Sequence, residues 1–329
     1  MIVDVHRHVI VPEITREHGD EPWRPAVRMN GAGQVVELGG KEIRSAVREF
    51  VWIDRILEEA AASGVEHAVL SPWVALLPYE LDPEEGVRVC RIQNDALASL
   101  ADRYAGRVSG LGAVPLQEPE IAAAELVKLM MTPGLVGVEV AASVRGRFLG
   151  DDGFVPFWEA AEGTGAAVFV HPTTRGFDLP AFQQYYLWNT VAGPMETAAT
   201  AAHIVMAGVL ERFPTLKVIL AHGGGALPAV RGRLRRAHGF QPQARERLNG
   251  STDDCLRRLL YDTVTHDAGL LGGLIDYAGA EQVLLGSDHP FDMGTDRPVE
   301  EVRALDLPSR DEAAVLGGNA ARLLGLRSN

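Results

Sequence analysis

Lysine is almost missing from this 329-residue chain: Lys41, Lys128 and Lys217 are its only ammonium side chains, and arginine supplies the rest of its 31 basic groups. Guanidinium groups grip planar carboxylates through paired donors, whereas an ammonium acts as a point charge. Acidic residues outnumber basic ones, 44 against 31, for a formal charge of −13. That excess argues against a nucleic-acid partner and against an anionic membrane surface, yet a few arginines in a cleft can still hold a small anion. Cysteine is equally scarce. Cys90 and Cys255 stand far apart with no CxxC, which removes disulfide scaffolds and cysteine-based metal sites and fits a cytoplasmic protein. No apolar run is long enough to span a bilayer, and Asp4 and His6 interrupt the opening one, so neither a signal peptide nor a membrane span is expected. Two catalytic signatures are also missing. Without a GxSxG, the His222-Gly-Gly-Gly run lacks the nucleophile elbow of an esterase, and without a GxGxxG after a strand a Rossmann site is excluded.

What is present is a regular alternation. Hydrophobic residues make up 47% of the chain, enough for one large core. The patterning predicts strands over 2–5, 67–71, 108–114, 135–140, 166–170, 216–221, 259–263 and 282–286. Helices are predicted over 54–63, 83–104, 118–131, 153–162, 195–212, 226–238 and 267–279, with two more at the C-terminus. Eight strand–helix units imply an α/β fold, a (β/α)8 TIM barrel in a single domain over 1–329, with its chemistry at the C-terminal strand ends. Residues 9–50 break the rhythm with prolines, glycines and charges. They read as a small insertion after the first strand, placed as a lid, with a hairpin around Val35–Leu38.

Histidine and aspartate collect at those strand ends. His6 and His8 lie two apart and so share one face of the first strand. His171 follows strand five, His222 follows strand six, and Asp288 follows strand eight. Imidazoles and a carboxylate aimed at one mouth suit a divalent transition metal. The remaining titratable residues have blander readings. His203 is expected to be a satisfied core histidine, His18, His67 and His238 surface residues, and His266 a residue of the mouth. Glu139 reads as solvated or helix-facing, with a bridge to a second metal as the alternative; Arg7 reads as a packing or mouth residue, and His289 as pointing away from Asp288. Trp52, Trp73, Trp188, Tyr185, Tyr186 and Phe291 are candidates for the pocket wall, with core packing as the default.

The His-x-His opening, His171-Pro, His222-Gly-Gly-Gly-Ala-Leu-Pro and Gly286-Ser-Asp-His-Pro-Phe resemble the amidohydrolase superfamily. More closely, they resemble its decarboxylase branch, typified by α-amino-β-carboxymuconate-ε-semialdehyde decarboxylase; Gly193-Pro-Met-Glu-Thr and Gly208-Val-Leu-Glu-Arg-Phe-Pro extend the likeness. The resemblance implies one zinc ion (Zn2+) per chain held by His6, His8, His171 and Asp288, with a water completing the shell and manganese (Mn2+) as the alternative. It makes His222 the general acid/base that shuttles a proton with that water. It implies arginines for the substrate carboxylate: Arg44, with Arg48 the near alternative, and Arg233, reaching across a homodimer interface. Trp188 and Phe291 become substrate-contacting walls. Many superfamily members hold two metals on a lysine carbamate at strand four, but no lysine lies between Lys128 and Lys217. The implied activity is metal-dependent, non-oxidative decarboxylation of a small unsaturated or aromatic carboxylic acid. Hydrolysis of an amide, lactone or C–C bond, with Asp288 handling the proton, or a hydratase reaction, are the alternatives on the same scaffold.

Overall fold

The computed structural model describes residues 1–30, 33–38, 40–43 and 50–326. Eight strands form one sheet in chain order: β1 (Val3–Val9), β2 (His67–Pro72), β3 (Val108–Gly112), β4 (Leu135–Ala141), β5 (Ala167–His171), β6 (Lys217–Leu220), β7 (Leu260–Asp262) and β8 (Val283–Leu284). All neighbours in that order pair in parallel. The sheet closes on itself. Val5 N–H donates to the Leu285 carbonyl at 2.9 Å and Asp288 N–H to the His6 carbonyl at 2.8 Å, and Arg7 bridges His289. Helices cover the outside, so the expected (β/α)8 barrel is the observed one.

Burial on both faces of each strand follows from that closure. One apolar cluster fills the barrel: Val3, Val5, Val69, Leu111, Phe169, Ile219, Leu260 and Leu284 come from every strand but β4. A larger one lies between strands and helices. β1 carries a register irregularity between Asp4 and Arg7 against β2. This bulge shifts the two-residue phase of the strand. Val3 and Val5 therefore join the inner cluster, while the His6 ring also turns in and meets Phe169 edge-on at 4.7 Å. Alternation alone does not predict both sets on one side.

Several expectations need correction. The apolar run 195–212 is two helices, Gly193–Met206 and Val209–Arg212, because Gly208 takes a left-handed φ of 71° between them. His203 on the first of these is exposed and stacks on Phe148 at 4.9 Å, so it is not a core histidine. A short helix over Thr252–Arg258 precedes β7 and was not anticipated; the Ser251 hydroxyl caps it by accepting from Asp254 N–H at 3.2 Å. Three short helices close the chain rather than two: Pro298–Arg303, Ser309–Ala313 and Asn319–Leu324. Within the insertion, Ala26–Asn30, Gly33–Leu38 and Lys41–Ile43 form a three-stranded antiparallel sheet that contains the expected hairpin. The Trp23 indole N–H ties the insertion to the helix Pro83–Arg103 through Glu85 at 2.8 Å. Among the described residues no helix is long and apolar enough to cross a membrane.

His67 is the largest departure. It opens β2 and is buried, not a surface residue. Nδ1–H donates to the Gly106 carbonyl at 3.1 Å, leaving Nε2 to accept from the Ser109 hydroxyl at 3.0 Å. Burial lowers its pKa below the ordinary 6.5, with the Gly106 bond acting against. As pH falls, the unfolded chain takes up this proton before the folded one does. The stabilisation is therefore present above pH 6.5 and is lost as pH drops through the folded value. Urea titrations at several values between pH 7.5 and 5 should show wild-type stability falling with acid and His67→Gln falling less steeply; equal slopes would exclude this histidine as the cause.

Candidate active site

Four donor groups meet at the C-terminal mouth of the barrel. His6 and His8 come from the end of β1, His171 is the last residue of β5, and Asp288 lies just past β8. All four are buried, and one ligand atom from each lies within 4.8 Å of the others. Nε2 of His6 and Nε2 of His8 are 3.0 Å apart, and Asp288 Oδ1 is 3.1 Å from the first and 3.3 Å from the second.

The far side of each ring assigns its tautomer. His6 Nδ1–H donates to Asp262 Oδ2 at 2.6 Å, and His171 Nδ1–H to the Pro172 carbonyl at 2.8 Å. His8 Nδ1 faces the Pro72 carbonyl and the Ser71 hydroxyl, both at 3.3 Å. A proton on Nδ1 leaves the lone pair on Nε2, so three lone pairs and a carboxylate oxygen point into one small volume. Among the described residues, His171 Nε2 has no hydrogen-bond partner. Acceptors packed in this way repel one another unless a cation lies between them. Three imidazoles and one carboxylate suit a divalent transition metal.

The surrounding charge acts in the same direction. Burial disfavours an imidazolium at His6, yet Asp288 and the hydrogen bond to Asp262 push its pKa up to about 10. A bound divalent ion would replace that proton. Asp288 is held well below the usual carboxylate range: burial opposes its charge, but the attraction of His6 and hydrogen bonds from His222, His6 and His8 prevail. Burial, then the neighbouring His8, His222 and His6, push His171 well below the usual imidazole value.

His222 begins the turn after β6, with Nε2 3.3 Å from Asp288 Oδ2 and its ring partly open to the cleft. Both residues have left-handed backbones, with φ of 57° at His222 and 56° at Asp288. Such values cost a non-glycine residue on the order of 1–3 kcal/mol and persist only where the surroundings impose them. Asp262 grips the His222 turn through backbone N–H groups. Gly225 closes it at φ 60°, where a Cβ would lie 2.3 Å from the Pro194 carbonyl oxygen. The glycine run thus answers to space as well as to backbone conformation.

A cleft of about 270 Å³ opens beside the four donors. Trp73, Tyr186, Trp188, Phe291 and Met293 form its apolar walls, and Thr173, Asn189 and His266 add polar points. Trp188 and Phe291 line this cleft rather than packing wholly in the core, and His266 lies at its mouth. Phe291 meets the His8 ring at 5.2 Å and Trp188 meets Tyr186 at 5.0 Å. Trp52 and Tyr185 do not line this cleft; both are exposed, and Trp52 borders another surface groove. Among the described lining residues there is no arginine or lysine. Arg44 and its alternative Arg48 fall outside the described residues. Arg233 is exposed on the helix Leu227–Phe240 and lines a separate groove beside Phe240, away from this chain's own cleft.

Glu139 requires a correction. It is neither solvated nor helix-facing but fully buried inside the barrel, paired in register with Phe169, with Oε2 3.5 Å from His8 Nδ1. Burial raises its pKa, against the pull of His8. A parallel strand covered on both faces has no solvated side, so a lone glutamate within it gives no sign of which way it points. Asp262 was missed altogether; its only sequence signal is an acidic residue ending an apolar strand. His289 does point away, its Nε2 2.5 Å from Glu59 Oε2.

The fold and the cluster define a class: a (β/α)8 barrel whose mouth is furnished with histidine and aspartate from the strand ends. The chain belongs to the amidohydrolase family, whose model matches residues 3–326. It is 28% identical over 333 residues to 2-amino-3-carboxymuconate-6-semialdehyde decarboxylase of Dictyostelium discoideum, covering 99% of this chain and 92% of that protein. The crystal structure of 5-carboxyvanillate decarboxylase from Sphingomonas paucimobilis matches with a TM-score of 0.83 and 26% identity over 99% of both chains. A dihydroxybenzoic acid decarboxylase structure from Polaromonas, with bound manganese and 2-nitroresorcinol, shares the fold at a TM-score of 0.80 and 21% identity, covering 99% of this chain and 97% of that one.

Arg7, between the two histidines, faces the opposite way and packs rather than lining the mouth. Its Nε donates to Asp4 Oδ2 at 2.6 Å and its guanidinium to the Ile56 carbonyl at 3.2 Å; Asp4 also accepts from the Ser287 hydroxyl at 2.6 Å. This buried network links β1 to the helix Ile53–Ala62 and to the turn that carries Asp288. Arg7→Met should cost about 3–5 kcal/mol, as removal of one partner of a buried ion pair does. The midpoint of urea unfolding measures it, and an unchanged midpoint would mean that water or another donor satisfies Asp4.

Proposed function

We propose that this protein is a metal-dependent, non-oxidative decarboxylase of a small unsaturated or aromatic carboxylic acid. The observation that carries the reading is the convergence of His6, His8, His171 and Asp288 beside an aromatic-walled cleft onto which His222 opens. Relatives aligned along nearly the whole chain support it, being decarboxylases of a carboxymuconate semialdehyde and of a carboxyvanillate.

The four converging residues would hold one ion per chain. Three imidazoles with one carboxylate favour zinc; manganese, present in the Polaromonas structure, is the alternative. When bound, such an ion supplies Lewis acidity, polarising oxygen atoms and lowering the pKa of water toward neutrality. His222 moves the proton, since imidazole is the side chain that exchanges one near neutral pH. Asp288 Oδ2, 3.3 Å from Nε2, orients that ring. Protonation of the carbon that bears the carboxylate interrupts conjugation there. The bond to the carboxylate then breaks, its electron pair restores conjugation, and carbon dioxide leaves. Trp188 and Phe291 flank the planar substrate and exclude water. Because no arginine or lysine is among the described residues that line the cleft, the substrate carboxylate needs guanidinium groups from elsewhere. Arg44, from the insertion over 9–50, and Arg233, contributed by a second copy in a homodimer, fill that role.

Elemental analysis of protein purified without added metal should find close to one divalent ion per chain, lost in His6→Ala and in Asp288→Ala. His222→Asn should keep the ion and lower carbon dioxide release from carboxylated aromatic substrates by about 10²–10⁴-fold, the usual range for a lost acid/base. Two ions per chain would bring Glu139 into the site and favour hydrolysis. Absence of metal, or full turnover by His222→Asn, would overturn the proposal.

A further inference from the structure

Asp262, the last residue of β7, is fully buried, and both of its oxygens are fully used. Oδ2 accepts from His6 Nδ1–H at 2.6 Å and from His222 N–H at 3.0 Å. Oδ1 accepts from Gly223 N–H at 2.8 Å and from Val264 N–H at 3.0 Å. One carboxylate therefore touches a ring of the donor cluster and the main chain of the residue beside it. We infer that Asp262 is a positioning residue that couples the two: it fixes the tautomer of His6 and, through the same oxygens, the place of the His222 ring. The inference rests on the metal-dependent reading given above.

The chemistry of the four donors makes the role specific to a carboxylate. An ionised carboxylate accepts at every position and has no hydrogen to offer. An amide of the same shape has one accepting oxygen and an NH2 group that donates. In Asp262→Asn, that NH2 must take either the Oδ1 place, against Gly223 and Val264 N–H, or the Oδ2 place, against His222 N–H and the His6 ring. At Oδ1 it repels the N–H groups that brace the turn after His222, and the ring moves off Asp288. At Oδ2 it repels His222 N–H and selects the His6 tautomer with the proton on Nε2, which removes one of the four converging lone pairs. Either outcome separates what Asp262 holds together. A carboxylate that merely braced the end of β7 would behave differently, because an asparagine oxygen could still cap two backbone N–H groups. Stability would then fall while metal affinity and proton transfer stayed as they were.

The test compares zinc affinity in wild type and Asp262→Asn by chelator competition, with no substrate present. The expected loss is about 10–100-fold, as for other residues that orient a ligating histidine. Cobalt(II) in place of zinc should give an altered visible spectrum in the variant. Turnover should fall mainly in kcat, by about 10³–10⁴-fold, with KM nearly unchanged; a wrong histidine tautomer has an effect of that size in Ser-His-Asp triads. Equal zinc affinity and an unchanged cobalt spectrum would overturn the inference. Should the variant fail to fold, long-range 1H–15N spectra of the zinc-loaded wild type decide the matter. A protonated His6 Nδ1 with a strongly downfield proton supports the short bond to Asp262, and its absence overturns it. Wild type that binds zinc but decarboxylates nothing defeats the proposed reaction alone, since the affinity ratio still judges Asp262. Wild type that takes up no metal defeats both.

Discussion

His6 and Asp288 come from opposite ends of the chain, and a 2.8 Å hydrogen bond from Asp288 N–H to the His6 carbonyl joins them. This is the seam where β8 closes onto β1, and the rest of the site depends on it. The same seam includes His8 N–H on the His289 carbonyl at 2.8 Å and the Asp4 carboxylate on Ser287. A barrel closes only when strand tilt and register agree around its whole circumference. The relative positions of the histidine pair and the aspartate are therefore set by every strand between them. Backbone groups and the Asp4 carboxylate hold the seam, so the histidine and Asp288 side chains are free to point inward.

What points inward is costly. Asp262, Asp288 and Glu139 lie in or beside the same buried space as three imidazoles, and burial takes their charge out of bulk solvent. Hydrogen bonding accounts for part of the compensation: Asp262 receives four N–H groups, and Arg7 neutralises Asp4 on the helix side. The rest falls on His6, where, against the cost of burial, Asp288 and Asp262 raise the pKa to about 10. Left-handed backbones at His222 and Asp288 add strain at the same place. Polar repulsion and backbone strain together at one end of an otherwise apolar barrel mark a site kept for chemistry rather than for stability.

The legible parts of the sequence were those governed by a short rule. Strand–helix alternation is enough to imply the barrel, and the rule that reactive groups follow the strands picks out His6, His8, His171, His222 and Asp288. The rule stops where side-chain direction depends on neighbours. Glu139 and Asp262 sit in strands buried on both faces, where polarity does not say which side is the interior. His67 reads as a polar residue at a strand edge, yet Gly106 and Ser109 satisfy both ring nitrogens inside the protein. His203 errs in the other direction: an apolar helix surrounds it in sequence, but its own position on that helix is exposed. The bulge in β1 leaves no mark in composition at all. It follows from closure, which brings both Val5 and His6 to the interior.

Donors and walls have different origins, and that difference bears on how such a site changes its substrate. The four donors stand on strand ends or on the β8 seam, where a shift of one residue would disturb the barrel. Trp188, Asn189 and Tyr186 belong to a segment between β5 and the helix Gly193–Met206, and Phe291 and Met293 follow the seam in irregular chain. Tyr185 and Tyr186 both take positive φ, at 55° and 63°, and lead into a short π-helical stretch, Trp188–Ala192, that carries Trp188 and Asn189. A loop can exchange residues or length without moving the strands that support it. Relatives named as decarboxylases of a carboxymuconate semialdehyde and of a carboxyvanillate can therefore align with nearly the whole of this chain at 28% and 26% identity. On the proposed reading, the reaction is tied to the sheet and the choice of acid to the loops: the proton and the cation would be handled at the strand ends, and the substrate would be recognised by the segment around Trp188 and the insertion after β1.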